Sequence, residues 1–263
     1  MIEIGCQTYS LRHCELGEML AGVRKAGFHG VELWVGHADY AEGRDGAARV
    51  RAAADEIGLG IQAYSVGGFV RTAMAVVETR LAAAFDYAGA LGVDLMTGVI
   101  DRRALPVVEE LCARSGVRFG IENHWYADFA GVEDYVEGLR HVSPLIGVTL
   151  DTGHLAAAGG DAADAVDALG DRLFAVHLKD VVLHGALVRW LHWRPRMEGC
   201  SLGEGKARIE PFLAALAHAG FDGSLAIEDE RPELPLSELQ ASLRAGTRVL
   251  RSASPNGAPP WST

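Results

Sequence analysis

Short apolar runs and longer amphipathic stretches alternate along this chain eight times. The apolar runs begin near residues 2, 30, 60, 94, 117, 146, 173 and 224. Their lengths are typical of buried strands. The stretches between them carry apolar residues at helical spacing, over residues 16–26, 45–57, 71–91, 103–114, 131–142, 161–169, 208–219 and 237–251. The pattern therefore predicts eight successive βα units.

Mostly apolar strands that alternate with helices predict a parallel α/β sheet covered by helices. Eight units in 263 residues favour a single closed (β/α)8 TIM barrel, and no GxGxxG follows the first strand to support an open doubly wound sheet. The barrel is expected to form one domain over residues 1–251. Residues 252–263 are rich in Pro, Ser and small side chains, so a mobile tail is predicted there.

Four polar side chains each close one of the apolar runs. Glu122 ends VRFGIE, Asp151 ends IGVTLD, His177 ends FAVH and Glu228 ends SLAIE. The steps between them are 29, 26 and 51 positions, which places one residue in each βα unit if the last unit is enlarged. Side chains at the carboxyl ends of barrel strands converge on one mouth. Three carboxylates and one imidazole there predict a site for one divalent cation, and its oxygen-rich donors favour Mn²⁺ or Mg²⁺.

The segments FGIENH, VTLDTGH, AVHLKD and LAIEDE, together with SLGEGKARIE, resemble the xylose isomerase-like barrel superfamily of sugar and sugar-phosphate isomerases and epimerases. The resemblance covers roughly residues 1–250. It implies that Glu122, Asp151, His177 and Glu228 bind one cation, usually manganese, magnesium, cobalt or zinc. It also implies that His154 contacts a substrate oxygen, which makes this residue a candidate catalytic group.

The predicted donors suit proton transfer next to a carbonyl. A bound cation lowers the pKa of the neighbouring C–H and stabilises the resulting enediolate, while Glu122 and Glu228 are the candidates to remove and return the proton. An isomerase or epimerase acting on a sugar, keto-sugar or related polyol is the first prediction. The same chemistry leaves open a dehydratase or lyase acting on a keto-sugar, cyclitol or glycoside.

Further side chains near strand ends are candidates to contact the substrate. They are Tyr9, Glu32, Trp34, Tyr64, His124, His154, Lys179, Arg194 and Arg196. Each also has a structural alternative, such as core filling for an aromatic ring or a solvated ion pair for a charge. Residues 181–204 match no motif and are expected to form a lid or a subunit contact, in which Trp190–Arg196 closes over the substrate.

Other functional classes are disfavoured. The net charge of −11 opposes binding to a nucleic-acid backbone. An apurinic-site endonuclease, a related barrel, needs three metals, but the third and fourth strand ends lack extra histidines and no Asp-x-His follows HLKD. A non-catalytic barrel subunit remains a further alternative. With no apolar stretch of 18 residues and no signal-like start, a cytoplasmic protein with a small-molecule substrate and no membrane contact is expected; self-association is left open.

Overall fold

The computed structural model describes residues 2–184, 196–231, 235–253 and 261–262. The strands are Ile2–Gln7 (β1), Gly30–Trp34 (β2), Gly60–Gly68 (β3), Leu95–Val99 (β4), Arg118–Glu122 (β5), Ile146–Asp151 (β6), Leu173–Leu178 (β7), Asp180–His184 (β8), Arg196–Cys200 (β9), Ser224–Ile227 (β10) and Trp261–Ser262 (β11). Strands β1 to β7 pair in sequence order, all in parallel, and β10 pairs with both β7 and β1. This closes an eight-stranded barrel and confirms the predicted (β/α)8 fold.

The helices of the described residues lie between these strands. They are Leu16–Ala26 (α1), Gly43–Glu56 (α2), Met74–Leu91 (α3), Leu105–Ser115 (α4), Val132–Gly138 (α5), Thr152–Ala158 (α6), Ala162–Leu169 (α7), Ile209–Ala219 (α8) and Leu236–Ala253 (α9). All eight barrel strands begin within one residue of the predicted positions. The sequence pattern missed α6, and α5 is shorter than predicted. None of the described helices is both long and apolar enough to cross a bilayer.

The main core lies between the barrel and its helices. Phe85 of α3, for example, stacks on Phe119 of β5 with ring centroids 6.1 Å apart. Gly147 of β6 permits a close approach of β7. A Cβ at this position would overlap both the backbone oxygen of Arg172 and the ring of Phe174. Glycine therefore leaves room for the start of β7 beside β6.

A hairpin enlarges the chain between β7 and α8. Its strands β8 and β9 pair in antiparallel register from Asp180 opposite Cys200 to His184 opposite Arg196. The predicted closing segment, Trp190–Arg196, lies outside the described residues except for the backbone of Arg196. At the chain end, α9 continues to Ala253, and the backbone of β11 pairs with β1. The division into a barrel and a mobile tail stays a prediction.

Candidate metal centre and active site

The four predicted ligands meet at the carboxyl ends of β5, β6, β7 and β10. One donor atom from each of Glu122, Asp151, His177 and Glu228 lies within 4.8 Å of the others. Nδ1 of His177 is 3.4 Å from Oε1 of Glu122 and 3.3 Å from Oε2 of Glu228. This buried nitrogen nevertheless has no hydrogen-bond partner among the described residues. An unpartnered imidazole nitrogen surrounded by carboxylate oxygens fits a divalent cation.

Strand register places these side chains side by side. Asp151 and His177 are direct partners across β6 and β7. The backbone N–H of Glu228 donates to Leu178 O at 3.1 Å and extends the β7–β10 pairing to the strand ends. Asn123 bonds both backbone groups of Asp151, accepting from its N–H at 2.7 Å and donating to its carbonyl at 3.0 Å. These backbone contacts hold the ligands on the rigid rim of the barrel.

Glu32, which was predicted to contact the substrate, contacts the imidazole of His177 inside the barrel. It is fully buried, and its carboxylate oxygens are 2.9 and 3.0 Å from Nε2 of His177. Oγ1 of Thr97 donates to the same carboxylate at 2.6 Å. Burial disfavours a charged His177, but Glu32, Glu122 and Glu228 together raise its pKa well above the ordinary value. This contact arises because a closed barrel brings side chains of non-adjacent strands together across its interior, and substrate contact by Glu32 stays a prediction.

Lys179 is a buried cation inside the same cluster. Its Nζ lies 3.0 Å from Asp151, 3.5 Å from Glu228 and 3.0 Å from Glu230. Burial opposes its charge, but the three carboxylates raise its pKa well above the usual range. Burial also raises the pKa of Asp151 to about 7 against the opposing effect of Lys179. For Glu228, the charges of Lys179 and His177 outweigh burial and hold the pKa well below its usual range.

The ammonium of Lys179 is therefore engaged by protein carboxylates, which matches the ion-pair alternative, and its contact with substrate stays a prediction. Glu230 was not among the predicted site residues at all. The acidic triplet in LAIEDE could have revealed it, because alternate residues of an extended segment share a face and this triplet follows β10. The first and third residues of this triplet both contact Lys179.

Two histidines form a ring stack beside the cluster. The ring of His124 lies 3.8 Å from that of His154 and 3.7 Å from that of Tyr126. Burial and the charge of Lys179 lower the pKa of His124 to about 4, and the same causes lower the pKa of His154 well below its ordinary value. Both rings are therefore neutral at physiological pH.

The tautomer of His154 follows from its neighbour. Nζ of Lys179 lies 3.3 Å from Nε2 of His154, and an ammonium group can only donate. Nε2 must then accept, and the ring proton of His154 sits on Nδ1. This buried Nδ1 has no hydrogen-bond partner in the described part of the chain. His154 thus offers a hydrogen-bond donor rather than a base at Nδ1.

Aromatic rings form part of the predicted substrate region. Tyr9 and Trp34 make an edge-to-face pair with centroids 5.0 Å apart, and both remain partly exposed. The guanidinium of Arg12 lies 4.7 Å over the Tyr9 ring and donates to the backbone oxygens of Glu230 and Arg231. Arg12 thereby links the ring pair to the chain that follows β10. Substrate contact by Tyr9 and Trp34 stays a prediction.

Tyr64, another predicted substrate contact, lies apart from this ring pair. It is fully buried, its hydroxyl donates to Ala38 O at 2.6 Å, and its ring packs against Tyr87 of α3 at 5.3 Å. The side chain therefore points outward to the helix layer. Of the two candidate arginines, Arg194 lies outside the described residues and Arg196 is described only through its backbone.

Asp180 organises the segment that follows the hairpin, a role that the sequence pattern did not reveal. Its carboxylate accepts the backbone N–H groups of Val181, Gly203, Gly205 and Ala207 at 2.9–3.0 Å. Gly203 has φ +89°, and a Cβ on Gly205 would overlap the Asp180 carboxylate. The glycines in SLGEGKA therefore serve two different purposes, a left-handed turn and a close approach.

Comparison with known proteins identifies the family to which the fold belongs. Residues 20–253 match the family described as xylose isomerase-like TIM barrel. A 3-dehydroshikimate dehydratase of Pseudomonas putida is 26% identical over 233 residues, which is 81% of this chain but 36% of that protein. This chain thus spans about a third of the length of that relative.

Two solved structures share the fold. The probable 3-DHS dehydratase AsbF of Bacillus anthracis has a TM-score of 0.75 and 17% identity, covering 94% of this chain and 99% of that one. The 3-keto-D-glucoside 4-epimerase YcjR of E. coli has a TM-score of 0.73 and 16% identity, covering 94% of this chain and 100% of that one. All three relatives are named as enzymes, a dehydratase, a probable dehydratase and an epimerase. Since the family match spans most of the sequence, this chain belongs to the xylose isomerase-like TIM barrel family.

Proposed function

We propose that this protein is a divalent-metal-dependent isomerase or epimerase acting on a sugar, keto-sugar or related polyol. The observation that carries the proposal is the position of two carboxylates around one point. Glu122 and Glu228 approach Nδ1 of His177 to 3.4 and 3.3 Å from separate strands, β5 and β10. Isomerisation and epimerisation each need a proton to be removed and another to be delivered, and two independent carboxylates supply both functions.

Glu122, Asp151, His177 and Glu228 would hold the ion. These hard donors favour Mn²⁺, and Mg²⁺, Co²⁺ or Zn²⁺ also match the set. When bound, the cation polarises a substrate carbonyl and so acidifies the neighbouring C–H. The rim of the barrel fixes the ligands before substrate arrives, which reduces the reorganisation needed for reaction.

The remaining groups support the same chemistry. The Nδ1–H of His154 is a donor for a substrate oxygen that gains negative charge. Lys179 keeps Glu228 ionised over the neutral pH range, because it holds the pKa of that carboxyl well below its usual value. The rings of Tyr9 and Trp34 offer apolar surface to the C–H face of a small polyhydroxylated substrate. A cytoplasmic setting and a substrate that is not a nucleic acid complete the proposal.

A dehydratase is the second candidate, and a specific observation favours it. The curated relative at 26% identity is a 3-dehydroshikimate dehydratase. Dehydration begins with the same removal of a proton next to a carbonyl, after which a β-hydroxyl leaves with a proton as water. It needs a single base, because the carboxyl group that removed the proton can return it to the departing hydroxyl, and the neutral rings of His124 and His154 would hydrogen-bond that hydroxyl.

Proton transfer in heavy water separates the two reactions. Candidate ketoses are incubated with the metal-loaded protein, and products are followed by NMR. A deuterium-labelled isomer or epimer supports the proposal, whereas an unsaturated product supports the dehydratase. Glu122→Gln and Glu228→Gln, assayed at saturating metal, are expected to lower turnover about 100 to 10,000-fold.

Glu78→Gln is the matched control, because this glutamate is exposed on α3. It should leave turnover unchanged. Metal content gives an independent check, since His177→Ala should remove most of the ion without unfolding the barrel. A parent protein that binds no divalent cation would refute the proposal.

A further inference from the structure

We infer that Glu32 is a positioning residue that orients His177 as a metal ligand, and that Thr97 holds Glu32 in place. The inference rests on the proposed metal site and concerns a residue that does not reach the ion. Glu32, Thr97 and His177 belong to β2, β4 and β7, three strands that are not neighbours in the barrel. Their side chains meet inside it, and all three residues are fully buried.

The contacts of Glu32 leave it little freedom. Oε1 accepts from Oγ1 of Thr97 at 2.6 Å and lies 2.9 Å from Nε2 of His177, while Oε2 lies 3.0 Å from the same nitrogen. A buried carboxylate is costly unless hydrogen bonds compensate for lost water. Here two donors from different strands compensate for it and fix its direction.

This arrangement determines which nitrogen of His177 serves as ligand. A carboxylate only accepts, so Nε2 of the ring carries a hydrogen toward Glu32. A metal ligand must be a neutral imidazole, and in that form the lone pair sits on Nδ1, which faces Glu122 and Glu228 at 3.4 and 3.3 Å. Without Glu32, neither the ring orientation nor the tautomer is held, and the ligand is offered in the correct form only part of the time.

Mn²⁺ binding tests the inference, measured through the EPR signal of free Mn²⁺ in titrations of the full chain. Glu32→Leu should weaken Mn²⁺ affinity about 10 to 100-fold, the usual effect of removing such an outer contact. Glu32→Gln should lose less, because the amide oxygen still accepts from Nε2–H. Thr97→Val should also lose less than Glu32→Leu.

The chain offers a matched control in a second glutamate–histidine pair. Glu198 lies 3.1 Å from His184 on the hairpin, and both side chains are exposed. Glu198→Leu should therefore leave Mn²⁺ affinity unchanged. Thermal unfolding of each metal-free variant shows whether a loss of affinity merely reflects a loss of fold.

NMR provides a readout that a purely structural role would not change. In protein labelled with ¹⁵N-histidine and loaded with diamagnetic Zn²⁺, Nε2 of His177 should carry a hydrogen while Nδ1 shows the shift of a metal-bound nitrogen. The inference is overturned if Zn²⁺ is bound through Nε2, or if Glu32→Leu binds Mn²⁺ as tightly as the parent. If Glu32→Leu does not fold, Glu32→Gln takes its place. The inference is then overturned if Glu32→Gln binds Mn²⁺ as tightly as the parent and His177 binds Zn²⁺ through Nε2. A parent that binds no Mn²⁺ would instead remove the proposed function itself.

Discussion

Replacing Lys179 with Met should destabilise the metal-free protein and make its stability strongly dependent on metal. The substitution removes a buried ammonium that lies 3.0 Å from Asp151 and contacts Glu228 and Glu230. At 3.0 Å and an effective dielectric constant of about 20, one such contact is worth about 5.5 kcal/mol before desolvation. The cost of burying the ammonium offsets much of this attraction. Breaking a buried pair typically leaves a net loss of about 3–5 kcal/mol, because the remaining charge has no partner.

The loss should depend on conditions in two ways. A divalent cation at the cluster supplies the missing positive charge, so saturating Mn²⁺ should stabilise Lys179→Met more than it stabilises the parent. Lower pH should also reduce the loss. The carboxylates left without a partner have raised pKa values, and they take up protons as the pH falls through those values.

Urea unfolding at pH 8 and at pH 5, with and without Mn²⁺, measures each of these effects. Lys25→Met serves as the control, because Lys25 is exposed at the end of α1, and it should stay within about 0.5 kcal/mol of the parent. The reasoning fails if Lys179→Met is as stable as the parent at pH 8 without metal. It also fails if Mn²⁺ stabilises the two proteins equally.

Two further predictions concern other buried polar groups. Asp180→Asn should cost roughly 3–6 kcal/mol in urea unfolding, since one of the two oxygens that accept four backbone N–H groups becomes a donor; a loss below about 0.5 kcal/mol would contradict this. Burial and Lys179 lower the pKa of His124 to about 4 from an ordinary 6.5, so the stability contributed by the neutral ring is complete above pH 6.5 and is lost as the pH falls toward 4. Acidification over this range should therefore destabilise the metal-free parent by up to about 3 kcal/mol more than His124→Gln, and equal pH profiles would refute the assignment.

The barrel and the grouping of the four candidate ligands were predictable from the sequence because both depend on local order. Each strand is a short apolar run whose limits are visible in the local sequence. The start of each barrel strand was therefore predicted to within one residue. Once eight parallel strands close a barrel, Glu122, Asp151, His177 and Glu228 must lie on the same rim. The missed helix α6 shows the limit of this reasoning. Asp151 ends β6 and also caps α6 by accepting from the N–H of His154 at 2.7 Å, so strand and helix share one residue.

Only the tertiary structure determined which side chains contact the four candidate ligands and which point away from them. Glu32 was expected to meet substrate and Tyr64 to line the mouth, yet one faces His177 across the barrel and the other packs against α3. The strand segment around Tyr64 has too little alternation of polar and apolar residues to show which way a side chain points. The partners of Lys179 likewise come from other parts of the chain, the end of β6 and the segment that follows β10. Sequence spacing shows where a side chain leaves the rim, whereas the partner it meets comes from other strands, distant in sequence, that only the closed barrel brings together.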